Sequence, residues 1–225
     1  MTSPQDEQMV RAAYDDLADT YGDNFRSTGP EAPVDLALIR HFASLVPGER
    51  QVLDAGCGAG RMFTVLRDLG CAVEGVDLSP AMVRRARRDH PDVVSQVGTL
   101  TALPHADASF DGVFSWYSTI HSPDTDLPRI AEELGRLLRP GGVVLVAFQS
   151  GQGARDVSGS FRRHGHDVTL HRYLRTLDEV SRALGSTGLA EVARFERRAV
   201  RPERDSQAVV IAERPRQDAP PGPRR

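Results

Sequence analysis

Between Val52 and Gly60 the chain reads Val-Leu-Asp-Ala-Gly-Cys-Gly-Ala-Gly, an apolar run that ends on an acid and then turns on three glycines spaced two apart. The apolar residues read as a buried strand and the segment after Gly60 as a helix. Glycine permits positive φ and carries no Cβ, so a ligand can approach the backbone closely. The first N–H groups of the following helix lack partners within it, which suits an anionic group such as a phosphate or carboxylate.

That strand, turn and helix open a longer alternation. Two helices precede it, Gln5 to Tyr21 and a second carrying Leu36, Ile39, Phe42 and Leu45, with a turn-rich segment at Ser27-Thr28-Gly29-Pro30 between them. Strand one runs from Gln51 to Asp54, a helix from Arg61 to Leu69, and strand two from Ala72 to Asp77. Ser79-Pro80 opens the next helix, with serine as N-cap and proline where its missing N–H costs nothing, and His90-Pro91 closes it. Val93 to Val97 and Phe110 to Ser115 are strands three and four, Leu127 to Leu138 a helix, and Val143 to Phe148 strand five, after Pro140-Gly141-Gly142. Thr176 and Glu179 have capping-box spacing and begin a last helix that ends near Gly185. Glu191 to Val200 and Gln207 to Ala212 follow one another without a helix, which calls for antiparallel pairing. The expectation is an α/β, Rossmann-like three-layer fold with a mostly parallel seven-stranded sheet and an antiparallel last strand. It places one domain over residues 1–213, with a helical cap at about 1–46, a lid-like insert at about 149–175, and a disordered Pro- and Arg-rich tail at 214–225.

Composition serves mainly to exclude. The net charge is −3, and all 28 basic residues are arginine. A general nucleic-acid binder carries a basic excess to neutralise phosphates, so that class is disfavoured. The one tight basic cluster, Arg84, Arg85, Arg87 and Arg88, falls in the later turns of a helix and reads as a solvated face. No apolar run reaches the roughly 20 residues needed to cross a bilayer. Met1 to Met9 is polar and acidic, unlike a secretory signal. Cys57 and Cys71 make neither a disulfide framework nor a zinc-ligand pattern. A cytoplasmic protein without membrane or nucleic-acid partners is expected.

A dinucleotide turn has the spacing G-x-G-x-x-G or ends on alanine, whereas here the glycines stand at 56, 58 and 60 and Arg61 takes the last position. A dehydrogenase is thereby weakened. Asp77 ends strand two, twenty-one positions after Gly56, where an acid can accept hydrogen bonds from both ribose hydroxyls of an adenosine cofactor. Asp77 alone does not choose between NAD and S-adenosylmethionine, and it also fits a simple helix-start residue. Taken with Leu78-Ser79-Pro80-Ala81-Met82, Leu103-Pro104, Ser109-Phe110-Asp111 and Leu138-Arg139-Pro140-Gly141-Gly142, the G-x-G-x-G turn resembles the class I S-adenosylmethionine-dependent methyltransferases of small-molecule type. The resemblance extends in element order from roughly Val10 to Ala212.

The resemblance implies that Gly56, Cys57 and Gly58 lie against the methionine end of S-adenosyl-L-methionine and that Asp54 helps to hold its amino group. It gives Asp77 the ribose, has Leu78 and Leu100 flank the adenine, and makes Met82 a further cofactor-binding candidate. Family members often have Asp where Thr99 stands, so the adenine amino contact passes to Thr99 or the backbone of Thr99 and Leu100. Strand four exits through Ser115-Trp116-Tyr117-Ser118-Thr119-Ile120-His121 at the carboxyl edge of the sheet, where ligands of such folds bind. There Ser115 and Trp116 are cofactor candidates, and Tyr117 and His121 acceptor candidates. His121 is also the candidate catalytic base, since its ordinary pKa is near ~6.5; a structural histidine satisfies the same pattern. Tyr14 and Tyr21, seven apart on one helical face, resemble the cap tyrosines that close over the cofactor, or pack that helix on the core. His164, His166 and His171, with Asp167, lack metal-site spacing, and no metal is expected. The insert reads as a lid that favours an acidic or polar acceptor.

The implied activity is methyl transfer to a small-molecule acceptor by direct in-line displacement, with the protein supplying placement and exclusion of water. Two rivals stand beside it: a non-catalytic S-adenosylmethionine-binding accessory protein, and an NAD-dependent oxidoreductase. The acceptor, the atom methylated and the oligomeric state are left open by the sequence.

Overall fold

A computed structural model describes residues 4–24, 29, 31–162 and 167–216. Ser27, Thr28, Pro30, His164, His166 and the tail from 217 lie outside the described residues. Four strands follow the expected parallel pattern: β1 (Gln51–Ala55), β2 (Ala72–Asp77), β3 (Ser95–Val97) and β4 (Phe110–Trp116). β5 (Leu138–Ser150), β8 (Ala190–Arg197) and β9 (Ser206–Glu213) complete a seven-stranded sheet in the order β3-β2-β1-β4-β5-β9-β8. β9 runs antiparallel to both β5 and β8, and the other pairings are parallel.

Neighbouring residues on the central strands point to opposite faces, so each strand feeds two cores. Leu53, Val113 and Val144 pack with Ile130, Leu134 and Leu137 of α5 (Leu127–Leu137) and with Val180 and Leu184 of α7 (Leu177–Gly185). Val52, Phe114 and Leu145 pack with Ile39 and Phe42 of α2 (Pro33–Leu45) and Leu66 of α3 (Phe63–Asp68). These are the three layers, with both sheet faces covered, as parallel strands require. Among the described residues, no helix is long and apolar enough to cross a membrane.

Several element boundaries differ from expectation, two of them for visible reasons. α3 begins at Phe63 rather than Arg61, because the glycine turn continues through Gly60 at φ +85°, where an added Cβ would lie 2.7 Å from the Phe63 ring. β5 begins at Leu138, five residues early. Phe110 pairs with Leu138 and Gly112 with Val143, so Pro140-Gly141-Gly142 is absorbed as an irregularity within the strand. The insert is also more regular than its composition suggests. It contains β6 (Ala154–Asp156), the short α6 (Ser158–Arg162) and β7 (His171–Tyr173), with β6 and β7 paired antiparallel.

The arginine cluster on α4 (Pro80–Asp89) is not a solvated face throughout. Arg85 is only 4% exposed. It donates to Asp23 at 2.8 Å, to the Asp19 carbonyl at 3.1 Å and to Asp89 at 2.5 Å, while Arg87 donates to the Ser95 carbonyl at 2.8 and 2.6 Å. Arg85 thus docks α1 (Pro4–Asn24) on α4, and Gly22 of α1 makes the room, since a Cβ there would lie 2.8 Å from the guanidinium carbon. At the other end of the contact, Asp15 accepts from the Ser79 hydroxyl at 2.6 Å and the Ala81 N–H at 2.9 Å. Replacing Arg85 with Ala is expected to cost about 2 kcal/mol and to expose α1 to limited proteolysis before the rest of the domain unfolds. Thermal melts and the sites of first cleavage would test this.

Candidate functional site

The strand order reverses between β1 and β4, and the loops at the carboxyl ends of β1, β2, β3 and β4 converge there, at the usual ligand crevice of such sheets. They enclose a cavity of about 720 Å³. A side annex of about 40 Å³ shares Tyr21, Gly56, Gly58, Arg61 and Trp116 with it and adds Asp54, Cys57 and Met62. Of the residues singled out from sequence, Tyr14, Tyr21, Gly56, Gly58, Asp77, Leu78, Met82, Thr99, Leu100, Trp116, Tyr117 and His121 line the main cavity, and Asp54 and Cys57 the annex. Ser115 does not line either. It is fully buried, with its hydroxyl 2.6 Å from that of Ser118, which does reach the wall.

The glycine turn is stitched to the end of β2. The N–H groups of Gly56 and Cys57 both donate to the Val76 carbonyl, at 2.8 and 2.9 Å, and the Gly58 N–H donates to Asp77 Oδ2 at 2.8 Å. Gly56 sits at φ +86°, and a Cβ on it would meet Cβ of Ser118 at 2.1 Å, so only glycine lets strand four's exit loop pass. Asp77 Oδ1 accepts the Ser79 N–H at 2.9 Å, which fixes the carboxylate plane while leaving lone pairs toward the cavity. Burial raises the Asp77 pKa against these hydrogen bonds.

Asp54 has no such compensation. It is 2% exposed, and its Oδ2 is buried without a hydrogen-bond partner among the described residues. Burial, reinforced by Asp77 and opposed by Arg61, pushes its pKa up to about 8. A buried carboxyl group beside a glycine turn, with one oxygen unpaired among the described residues, suits a cationic ligand group. Cys57 is no nucleophile, because burial holds its thiol well above the ordinary range.

One wall of the cavity is aromatic. The Trp116 ring stacks on Phe114, with centroids 5.5 Å apart, and Nε1 donates to Glu31 at 3.2 Å; Arg61 also pairs with Glu31. Tyr117 takes φ +56°, a left-handed conformation that costs a β-carbon-bearing residue about 1 kcal/mol or more and turns its ring into the cavity. Tyr14 meets Tyr21 edge-on at 6.2 Å and His121 at 5.6 Å. Burial raises the phenol pKa of Tyr14, Tyr21 and Tyr117.

His121 is 8% exposed, and its Nδ1 lies 2.6 Å from the His171 carbonyl. A carbonyl only accepts, so Nδ1 carries the proton and Nε2 is left as the acceptor. Burial pushes the imidazole pKa down to about 4. The same loop is held by Arg175, 1% exposed, whose guanidinium donates to the carbonyls of Thr119 at 2.9 Å and Ser122 at 2.5 Å and to Asp124 at 3.0 Å.

Several lining residues were missed from sequence, among them Glu7, Arg155, Arg172 and Arg204. Glu7 accepts the Thr99 hydroxyl at 2.9 Å, across 92 residues of chain, so no local spacing marks it. Among the described residues, no group of three or more His, Cys, Asp or Glu is arranged to hold a metal ion.

Residues 52–142 match a family described as methyltransferase domain. The chain is 32% identical over 193 residues to a malonyl-(acyl-carrier protein) O-methyltransferase of Erwinia pyrifoliae, covering 84% of this chain and 69% of that protein. It is 35% identical over 157 residues to a 2-methyl-6-phytyl-1,4-hydroquinone methyltransferase of Synechocystis, covering 66% of this chain and 48% of that protein. The chain spans between about half and about two thirds of the length of the curated relatives it matches. Among solved structures, a magnesium protoporphyrin IX methyltransferase of Synechocystis with bound S-adenosylmethionine shares the fold, with a TM-score of 0.69, 17% identity, and coverage of 95% of this chain and 99% of that one.

The tautomer of His121 is testable without any ligand. Its folded pKa lies below the unfolded value, so the native state binds fewer protons and stability falls as pH drops from about 6.5 toward about 4. Relative to His121→Asn, which keeps a donor to the His171 carbonyl, the wild type is expected to lose about 3 kcal/mol more between pH 7 and pH 4. Denaturant melts across this range check the difference, and nitrogen NMR shifts that stay neutral and Nδ1-protonated at pH 5.5 check the assignment.

Proposed function

The chain belongs to the class I S-adenosylmethionine-dependent methyltransferases, and from that membership we propose that it transfers a methyl group to a small-molecule acceptor by direct in-line displacement. The observation that carries the reading is the buried Asp54 oxygen without a partner, set beside a turn only glycine can make. S-adenosylmethionine, when bound, supplies an electrophilic methyl group on a sulfonium. Asp54 receives the ammonium at its methionine end, with Gly56, Cys57 and Gly58 against that end and Trp116 beside it. Asp77, already oriented by Gly58 and Ser79, receives the ribose hydroxyls.

Leu78, Met82 and Leu100 form the apolar slot for the adenine. At its edge Thr99 spends its hydroxyl on Glu7, so the carboxylate that receives the adenine amino group is Glu7, carried in from α1. Tyr14 and Tyr21 cover the cofactor. Their α1 also packs through Ala13 on Val168 and Leu170 of the insert, which makes cap and insert one cover over the cavity and supports the lid role of residues 149–175. Tyr117 and His121 face the acceptor. The reaction rests on placement and on exclusion of water rather than on a strong base. The names of the relatives agree on the group transferred and differ on what receives it, from an acyl-carrier-protein-linked malonyl group to a phytyl hydroquinone.

Calorimetric titration with S-adenosylmethionine, S-adenosylhomocysteine and NAD tests the reading. The first two are expected to bind, and Asp77→Ala to weaken them about tenfold or more; silence toward both, or preference for NAD, overturns it. Asp54, with its folded pKa raised to about 8, is protonated below that pH without ligand and ionised beside the ammonium. Affinity for S-adenosylhomocysteine is therefore expected to rise from pH 6 to pH 8, by at most about tenfold per unit, with proton release at pH 7. Asp54→Asn should flatten that slope. Glu7 predicts discrimination at the adenine edge: the wild type should bind S-adenosylhomocysteine about tenfold more tightly than S-inosylhomocysteine, which has a carbonyl in place of the amino group, and Glu7→Gln should erase the difference.

A further inference from the structure

One wall of the cavity carries positive charge for which the cofactor has no use. Arg155 on β6 and Arg172 on β7 stand directly opposite one another in the antiparallel pair, and Arg204, from the β8–β9 connection, joins them on the lining. Like charges facing across strands repel. They are tolerated because Asp205, 5% exposed, lies behind them and pairs with Arg155 Nη1 at 2.6 Å and Arg172 Nη1 at 3.1 Å. Asp156 shares the lining, its carboxylate accepting the Ser158 N–H at 2.8 Å. Arg155 and Arg172 thus share the single charge of Asp205, and Arg204 adds a third cation to this wall. The other lining acids, Asp6, Glu7, Asp77 and Asp126, come from α1, β2 and the β4–α5 connection.

A second observation points the same way. Arg172 Nε is buried and has no hydrogen-bond partner among the described residues. A guanidinium N–H without a partner is costly, and a carboxylate oxygen is its best geometric complement. Arg172 also acts on the reacting end of the cavity, since its charge disfavours protonation of His121 and opposes the rise of the Tyr14 phenol.

Resting on the methyl-transfer reading, we propose that the acceptor is a small carboxylic acid whose ionised carboxylate is held by Arg172 and Arg155 and is itself methylated, giving a methyl ester. The surrounding acid–base groups fit this choice. Tyr14 and Tyr117 are held protonated and His121 is a feeble base, so none of these three is poised to take a proton from an acceptor that must lose one. A carboxylate arrives without one. Its oxygen lone pair forms the O–CH3 bond as the S–CH3 bond breaks, and the bonding pair returns to sulfur. The negative acceptor and the positive sulfonium become a neutral ester and a neutral thioether, with no proton moved. The ester no longer pairs with the arginines, which favours its release.

The test uses ω-phenylalkanoates from phenylacetate to 6-phenylhexanoate, their primary amides, and S-adenosylmethionine labelled in the methyl group. At least one acid is expected to take up label that alkali releases as methanol, and no amide. Arg172→Gln should lower kcat/KM for that acid roughly tenfold to a hundredfold, with S-adenosylhomocysteine affinity changed less than about twofold; Arg155→Gln serves as the second variant and should act in the same direction. The proposal is overturned if S-adenosylhomocysteine binds but no acid is labelled, if the label resists alkali, or if both variants leave the preference for acid over amide intact. Failure to bind S-adenosylhomocysteine overturns the methyltransferase reading instead.

Discussion

The site depends on a single close approach, that of the glycine turn after β1 to the last carbonyl and carboxylate of β2. Two N–H groups on the Val76 carbonyl and a third on Asp77 hold the turn against its neighbouring strand. A side chain at Gly56 would drive into Ser118, and one at Gly75 would meet the Phe63 ring at 2.5 Å and the Cys57 sulfur at 2.8 Å. Gly56 is therefore a packing requirement as well as a conformational one, and Gly75 a packing requirement. With the turn in place, Asp54 is sealed behind it and Asp77 is oriented by it. The site's two buried carboxylates are thus consequences of one backbone arrangement.

Charge divides the cavity. Asp77 and Glu7 line it and Asp54 its annex, carried by β2, α1 and β1. The arginines of β6 and β7 stand on the insert, outside the motifs the family shares. Buried acids raise one another's pKa, as Asp77 does for Asp54, and Arg61 opposes that rise.

The order of elements was legible because parallel strands buried on both faces are nearly continuous apolar runs, and Val52–Ala55, Phe110–Trp116 and Val143–Phe148 are such runs. The antiparallel β8–β9 pair was legible from the missing helix between them. The glycine turn and Asp77 could be read because their roles are local. What could not be read was long-range or dependent on register. Arg85 looks like its neighbours on α4 until α1 packs over it. Glu7 acquires a role only when α1 crosses to Thr99. Arg155 and Arg172 are two among many arginines until β6 and β7 pair, because their strands are short and polar and carry no apolar alternation to announce themselves. Ser115 erred in the opposite direction: strand alternation turned it inward and left Ser118 on the wall.

β7 ties the acceptor end to the sheet through groups that cannot act separately. The His171 carbonyl fixes the His121 proton on Nδ1, the Tyr173 N–H bonds the Ile120 carbonyl at 2.8 Å, and Arg175 just beyond clamps the carbonyls of Thr119 and Ser122. Arg172 lies between the first two of these bonds. The register of three residues therefore sets both the tautomer of His121 and the position of the cation opposite it. A shift of one residue would reverse the faces of β7 and remove Arg172 from the cavity, while the His121 bond was lost in the same step. Substitutions in β7 should for this reason change the placement of Arg172 and the state of His121 together.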